Sequence, residues 1–112
     1  MRPDDTPSAP RHLSPKTRLW WASVLEAYDV GPHELHLLTL AGEALDRCTA
    51  ARQAIAKHGL VYFDPKRGPR MRPEVVVERD SRAAFARLVA QLDLDDDAPA
   101  PIPGVKSHKR IP

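Results

Sequence analysis

The stretch from Pro32 to His58, PHELHLLTLAGEALDRCTAARQAIAKH, decides the architecture that this sequence predicts. Its apolar residues recur in steps of three and four, which is typical of an amphipathic helix. Proline suits the first helical position, and Lys57 and His58 favour a helix end before Gly59, where we expect left-handed backbone. Such a helix would be a rod of about 40 Å. Its predicted apolar face comprises Leu35, Leu38, Ala41, Ala44 or Leu45, Cys48, Ala51 or Arg52, and Ile55.

A shorter helix is predicted before this rod. Ser14-Pro15 is a typical helix start, because the serine oxygen accepts a hydrogen bond from an early backbone N–H and proline fits the first turn. The helix is expected to end at Asp29-Val30-Gly31. Its two adjacent tryptophans point about 100° apart, so we expect one in the core and the other at an interface. The residues at helical spacing are Leu19, Trp20, Trp21, Val24, Leu25 and Tyr28.

The stretch RMRPEVVVERDSRAAFARLVAQLDL, residues 70–94, predicts a third helix that begins at Pro73. Its expected buried stripe is Phe85, Leu88, Val89 and Leu92. Before it, Leu60-Val61-Tyr62-Phe63 has strand character, and Asp64-Pro65 and Gly68-Pro69 interrupt it. The predicted fold class is mainly α. It has three helices at about 15–29, 32–58 and 73–94, with a short β-like hairpin or extended loop at 60–72.

Length and composition predict one small domain without a membrane partner. The chain has 112 residues and one cysteine, which excludes an internal disulfide and fits a reducing compartment. No apolar run approaches the ~20 residues that span a bilayer, and the N-terminus lacks the apolar segment of a secretory signal. We expect a flexible N-terminal arm at 1–12, a helical oligomerisation and DNA-engaging domain at 13–94, and a flexible, proline-rich, charged C-terminal tail at 95–112.

The long second helix also predicts self-association. Two shorter helices cannot cover a 40 Å rod along its whole length, and small cores often depend on oligomerisation for stability. We therefore expect the rest of its apolar face to meet another subunit. The interface residues predicted in this way are Leu38, Ala41, Leu45, Cys48 and Ile55.

Charge is arranged in blocks, although the net charge is only +2. The segment 64–72 carries four cations against one carboxylate, and the tail carries three more cations after an acidic run. Basic clusters of this kind favour an acidic polymer as partner, because phosphates are bound through charge and hydrogen bonds. The blocks are Lys66, Arg67, Arg70 and Arg72; Lys106, Lys109 and Arg110; and the acidic Asp93, Asp95, Asp96 and Asp97.

No catalytic constellation can be assembled from these residues. The glycines form neither a phosphate-cradling loop nor a dinucleotide fingerprint. His33 and His36 lie one helical turn apart without a third ligand in view, and the acidic run lacks the glycine and distal glutamate of a calcium loop. Cys48 lies on an apolar stripe, where a free cysteine behaves as a small hydrophobe. Trp20-Trp21 could stack on bases, but helical spacing favours a packing role. We predict no enzyme, cofactor or metal site.

Three segments in order resemble the small terminase subunits of tailed bacteriophages. They are HLSPKTRLWWASVLEAYDV, HELHLLTLAGEALDRCTAARQAIAKHGL and PRMRPEVVVERDSRAAFARLVAQLDL, which together cover about residues 12–94. The departure lies in the loop, where Asp64-Pro65-Lys66-Arg67 stands in place of a simpler glycine turn.

The resemblance implies a DNA-packaging protein of phage or prophage origin that acts in the cytoplasm of the bacterial host. Such proteins assemble into an oligomeric ring, engage double-stranded DNA and regulate the large terminase subunit, which holds the ATPase and nuclease. We expect the loop cations to contact DNA, with Arg11, Lys16 and Arg18 as a second patch. The tail residues Lys106, Lys109 and Arg110 are expected to bind a partner.

Two other functions fit the same residues. A protein-interaction adaptor would bind the large subunit without touching DNA itself. A small helical DNA-binding regulator would use the break from Asp29 to Pro32 as the turn of a helix-turn-helix motif. The second helix is longer and more leucine-rich at its start than a usual recognition helix, which ranks the regulator below the adaptor.

Overall fold

Three helices and one hairpin make up the protein, which we describe from a computed structural model over residues 6–93. The mainly helical class and the antiparallel hairpin are confirmed. The first helix ends two residues earlier than expected, because Tyr28 is already extended with φ −135° and ψ 151°. Leu94 and the predicted tail lie outside the described residues. The elements are α1 (Pro15–Ala27), α2 (Pro32–His58), β1 (Val61–Asp64), β2 (Gly68–Met71) and α3 (Pro73–Leu92).

The helix boundaries follow from local chemistry. Ser14 caps α1, because its Oγ accepts a hydrogen bond from the backbone N–H of Thr17 at 3.3 Å. Gly59 ends α2 with φ 85°, the positive value expected there, but its ψ of −179° is extended rather than left-handed helical. This conformation, which favours glycine, turns the chain straight from α2 towards β1.

Helix α3 runs back along α2, and polar contacts fix how the two meet. Glu78 on α3 accepts a hydrogen bond from Arg52 Nε at 3.0 Å and one from Cys48 Sγ at 3.6 Å, both on α2. At its other end, α3 places Leu92 in the same core cluster as Leu38. The start of α3 therefore lies beside the C-terminal half of α2, and its end lies beside the N-terminal half.

The hydrophobic core lies where α1 covers the N-terminal half of α2 and the end of α3. Trp21 is buried there, which confirms that one tryptophan belongs to the core. Trp20 is half-buried and packs on Phe85 of α3, with ring centroids 5.4 Å apart. It thus contacts another helix of its own chain. The core cluster comprises Leu13, Trp21, Val24, Leu25, Tyr28, Leu38 and Leu92.

Three of the five residues of the predicted oligomer interface on α2 are buried within the single chain. Leu38 and Ala41 have no exposed surface and Cys48 is 4% exposed, so α1 and α3 already cover them. Leu45 and Ile55 are half-buried. Because the side chains on this face of α2 are small, the neighbouring helices can approach α2 closely and cover it. The contact with a second subunit stays a prediction for Leu45 and Ile55.

The N-terminal segment is also more closely packed than expected. Ala9 packs against the core, and His12 Nε2 lies 2.8 Å from a carboxylate oxygen of Glu43. The backbone N–H of Leu13 donates to the carbonyl of Pro10 at 3.3 Å. Part of the predicted arm at 1–12 therefore belongs to the folded body.

The carboxylate of Asp46 joins α1 to α2. Its Oδ1 accepts hydrogen bonds from the hydroxyls of Ser14 at 2.7 Å and Thr17 at 2.6 Å. Its Oδ2 accepts one from the backbone N–H of Ser14 at 2.8 Å. Beside this junction a Cβ on Gly42 would lie 3.0 Å from a methyl of Leu13, so the absence of a side chain permits the close approach.

Asp46 stays ionised at this junction. Burial acts to raise the pKa of its carboxyl, but hydrogen bonds from Thr17 and Ser14 outweigh burial and hold the pKa below the ordinary value of 3.8. A carboxylate with a lowered folded-state pKa stabilises the fold at pH values above its unfolded pKa of about 3.9. That contribution is lost as the pH falls through the folded-state pKa.

We expect Asp46→Ala to lower the free energy of unfolding at pH 7 by about 1–3 kcal/mol, because three donors lose their acceptor. Urea unfolding followed by circular dichroism measures this change. The control Glu43→Ala removes only the contact with the exposed His12 and should cost less than about 1 kcal/mol. The difference between wild type and Asp46→Ala should shrink well below pH 3.8; an undiminished difference there would contradict the role of the charge.

Candidate functional site

The hairpin of β1 and β2 connects α2 to α3 and projects from the helices. Its strands pair antiparallel from Val61 with Met71 to Asp64 with Gly68. Asp64 shapes the turn: its Oδ1 accepts from the backbone N–H groups of Lys66 at 2.8 Å and Arg67 at 3.2 Å. Gly68 follows with φ 79°, a conformation that favours glycine. The turn therefore holds Lys66 and Arg67 at the tip of the hairpin.

The four predicted cations of this segment do not share one environment. Lys66, Arg67 and Arg70 are exposed. Arg72 is half-buried: its Nε donates to the carbonyl of His58 at 3.3 Å, and its guanidinium carbon lies 6.0 Å from the ring centroid of Tyr62. Arg72 thus ties the base of the hairpin to the end of α2, where a cation also meets the negative end of the helix dipole.

The second predicted patch lies elsewhere on the molecule. Arg11 and Lys16 are exposed, whereas Arg18 is half-buried and its Nε has no hydrogen-bond partner among residues 6–93. The start of α1 docks at Asp46, twelve residues of helix before His58, which is about 18 Å along α2. The structure therefore keeps the two basic patches apart. The tail cations Lys106, Lys109 and Arg110 lie outside the described residues.

The two faces of the hairpin differ in chemistry, a feature that sequence reasoning missed. Side chains alternate between faces along a strand, and directly paired residues share a face. One face therefore carries only apolar residues, and the other carries Tyr62, Asp64 and Arg70. The alternation of side chains is visible in VYFD and GPRM, but the pairing register of β1 with β2 is needed to decide which residues of the two strands share a face. The apolar face comprises Val61 (53% exposed), Phe63 (72%), Met71 (57%) and the exposed Pro69.

Three of the polar side chains that line the crevice between α1 and α2 bind other residues of the protein. The crevice encloses about 390 Å³ and is lined in part by Ser14, Thr17 and Arg52. Both hydroxyls donate to Asp46, and Arg52 donates to Glu78. The hairpin, with its exposed cations, is the stronger candidate for binding.

The candidate metal ligands do not form a cluster in the part of the chain that the structure describes. Within residues 6–93, no three His, Cys, Asp or Glu side chains are placed to hold one ion. His33 and His36 are both exposed on the first turns of α2. Asp93 follows α3, while the rest of the acidic run lies outside the described residues. None of the helices described is long and apolar enough to cross a membrane.

Cys48 has the environment of a packing residue. Burial raises the pKa of its thiol, and Arg52 nearby opposes this effect only in part. Because the thiolate is the reactive form, both burial and the raised pKa slow its reaction with electrophiles.

We expect Cys48 in the native protein to react with a soluble aromatic disulfide reagent at least tenfold more slowly than in urea, because it is 4% exposed. The release of the coloured thiolate at pH 8 measures both rates, and a free cysteine-containing peptide is the control. Equal rates in native and unfolded protein would show that the contact between α2 and α3 opens readily.

Comparisons with protein-family models, with curated proteins and with solved structures find no match for this chain. The resemblance to small terminase subunits therefore stays a prediction from the sequence. The hairpin and its exposed cations are the observations on which a functional proposal can be built.

Proposed function

We propose that this chain is a non-catalytic small terminase subunit. In this proposal it engages the viral genome as an oligomeric ring and regulates the large terminase, an ATPase and nuclease, while DNA is packaged into procapsids in the bacterial host cytoplasm. The family resemblance supplies the biological role. The basic tip of the hairpin supplies the physical basis for binding DNA.

The observation that carries the proposal is the placement of Lys66, Arg67 and Arg70. All three are exposed, and the turn that bears the first two is fixed by backbone hydrogen bonds to Asp64. A fixed turn reduces the entropy that is lost when its side chains become ordered on a ligand. Lysine and arginine on a projecting turn can reach backbone phosphates, which bind through charge and without regard to base sequence.

The structure gives Arg72 a different role within the same proposal. Its guanidinium is held by the His58 carbonyl and the Tyr62 ring, so it supports the hairpin and is less free to reach a phosphate. Arg11 and Lys16 form the second contact with DNA in this proposal. Because about 18 Å of α2 separates the two patches, substitutions in them should have additive effects on affinity.

One observation favours the adaptor as the second candidate. The apolar face of the hairpin has no charge and is more than half exposed at Val61, Phe63 and Met71, which suits contact with a protein better than contact with phosphates. The regulator is less well supported. One face of helix α2, which would have to be the recognition helix, is covered by α1 and α3 at Leu38, Ala41, Ala44, Cys48 and Ala51.

We expect the double variant Lys66→Glu/Arg67→Glu to bind double-stranded DNA at least tenfold more weakly at about 100 mM salt, because two attractive interactions with phosphates become repulsive. The slope of log K against log salt should become shallower by roughly 1.8, since each phosphate that is no longer neutralised accounts for about 0.9. Fluorescence anisotropy titrations at several salt concentrations measure both quantities.

The matched control is Arg79→Glu/Arg87→Glu, which changes the net charge equally at exposed positions on α3. Its affinity should stay within about threefold of wild type. If both double variants lose affinity equally, only net charge matters and the hairpin is not the DNA-binding surface. If wild type shows no salt-dependent binding, the adaptor replaces the DNA-binding proposal.

The ring makes a separate prediction. Purified protein should elute as one species of many subunits whose mass, measured by light scattering after size exclusion, does not change with concentration. A monomer or dimer at every concentration would contradict ring assembly by the isolated subunit.

A further inference from the structure

The hydrogen-bond pattern of the hairpin shows which backbone groups point outward. The N–H of Arg72 donates to the carbonyl of Leu60 at 2.8 Å, so this pair is hydrogen-bonded. Paired residues in an antiparallel ladder alternate between bonded and non-bonded pairs. The register of the two strands therefore makes Val61–Met71 and Phe63–Pro69 the non-bonded pairs. Proline, which has no N–H, fits such a position.

The two outer edges of the hairpin consequently differ. Val61 and Phe63 each direct an N–H and a C=O away from β2, so β1 presents a complete row of donors and acceptors. Pro69 offers only a carbonyl on the outer edge of β2, which blunts that edge. Within residues 6–93 the sheet has only these two strands, and neither edge is paired with a further strand.

We propose that β1 pairs antiparallel with β1 of a second copy of this chain, about a two-fold axis at Tyr62. In this register Val61 faces Phe63 of the second copy, and Phe63 faces its Val61. Each of these two pairs can exchange an N–H···O=C bond in both directions. The edge is thus complementary to itself, which is the requirement for a two-fold contact.

The side chains agree with this pairing. Directly opposite residues lie on the same face, so the apolar faces of the two hairpins form one continuous surface. Val61 (53% exposed) and Phe63 (72% exposed) would pack across the new contact, an aromatic and β-branched pair that stabilises sheets. A two-stranded hairpin is marginal in water, whereas four strands with an apolar face can be stable.

The assembly also stops at two copies. The outer strands of the four-stranded sheet are both β2, and Pro69 blunts each of their edges. The two Arg70 side chains do not oppose the contact strongly. Arg70 and its counterpart lie on the outermost strands, three strand spacings or about 14 Å apart, beyond the Debye length of about 8 Å in physiological salt.

This pairing goes beyond the proposed function, because it requires neither DNA nor the large subunit. It is also distinct from the contact that closes a ring, which is head-to-tail and joins two different surfaces. In a ring-forming protein it would join protomers of two assemblies. In this register the basic tips of the two chains lie at opposite ends of one sheet.

A disulfide tests the register directly. In a Cys48→Ala background, Tyr62→Cys places two thiols on the two-fold axis, in a non-bonded pair with Cα atoms about 4.5 Å apart. That spacing allows a disulfide, whereas the ~14 Å between two Arg70→Cys positions does not. Under mild oxidation at micromolar protein, we expect more than half of Tyr62→Cys to become covalent dimer on a denaturing gel, and less than a tenth of the Arg70→Cys control.

A second pair of variants keeps the test valid if Tyr62→Cys disturbs the hairpin. Phe63→Lys, added to the Tyr62→Cys chain, should reduce cross-linking at least tenfold. The control Leu19→Lys, at a residue of α1 that is 74% exposed, should leave it unchanged. Circular dichroism confirms that each variant is folded.

Efficient cross-linking of Tyr62→Cys alone supports the pairing. Equal cross-linking of Tyr62→Cys and Arg70→Cys overturns the pairing. The pairing is also overturned if Tyr62→Cys does not cross-link and Phe63→Lys, in the otherwise native chain, leaves the mass measured by light scattering unchanged. The result is independent of the DNA titration. Loss of DNA binding with intact cross-linking contradicts only the proposed function, and the reverse contradicts only the pairing.

Discussion

The rest of the structure depends on the burial of one small-residue face of α2. Along this face Ala41, Gly42, Ala44, Cys48 and Ala51 are all buried. Small side chains let the neighbouring segments approach the α2 backbone, and a Cβ on Gly42 would lie only 3.0 Å from a methyl of Leu13. Because two helices cover the rod in this way, a chain with few large buried side chains can still form a continuous core.

This packing determines where polar groups must find partners. Where α1 crosses α2, Asp46 accepts the hydrogen bonds of Ser14 and Thr17; where α3 crosses α2, Glu78 accepts those of Arg52 and Cys48. The ionic contacts of Glu78 are near the surface and are expected to add little stability. They fix the alignment of the helices, because a shift of one helical turn would separate each donor from its acceptor.

The same packing explains why the hairpin is exposed. Helices α2 and α3 lie antiparallel, so the link between them must turn at the end of the rod, where α1, the remaining helix of residues 6–93, does not cover it. Leu60, Val61, Phe63 and Met71 are all more than half exposed there. Exposed apolar patches of this kind favour association. The hairpin therefore combines a basic tip, suited to phosphates, with an edge suited to a strand.

The sequence predicted the elements well and the contacts poorly. Proline, glycine and serine signals placed the ends of α2 and the starts of α1 and α3, because caps and breakers act within a few residues. The same reasoning placed Cys48, Leu38 and Ala41 at an interface between subunits, whereas they are inside the protomer. An apolar stripe shows that a helix face is covered but does not identify which element covers it. Asp46 was missed altogether, because its partners lie about thirty residues earlier in the chain.

The sequence by itself determined three helices, their approximate ends, a strand-like segment between the second and third helices, and the concentration of cations in that segment. These features depend on neighbouring residues and on periodicity, which are both visible along the chain. Only the tertiary structure decided that Arg72 binds the His58 carbonyl while Lys66, Arg67 and Arg70 are exposed. It also decided that, among the described residues, β1 has an unpaired outer edge while proline blunts the edge of β2. Those outcomes depend on register and on contacts between distant residues, and a difference of one residue in register would place every hairpin side chain on the opposite face.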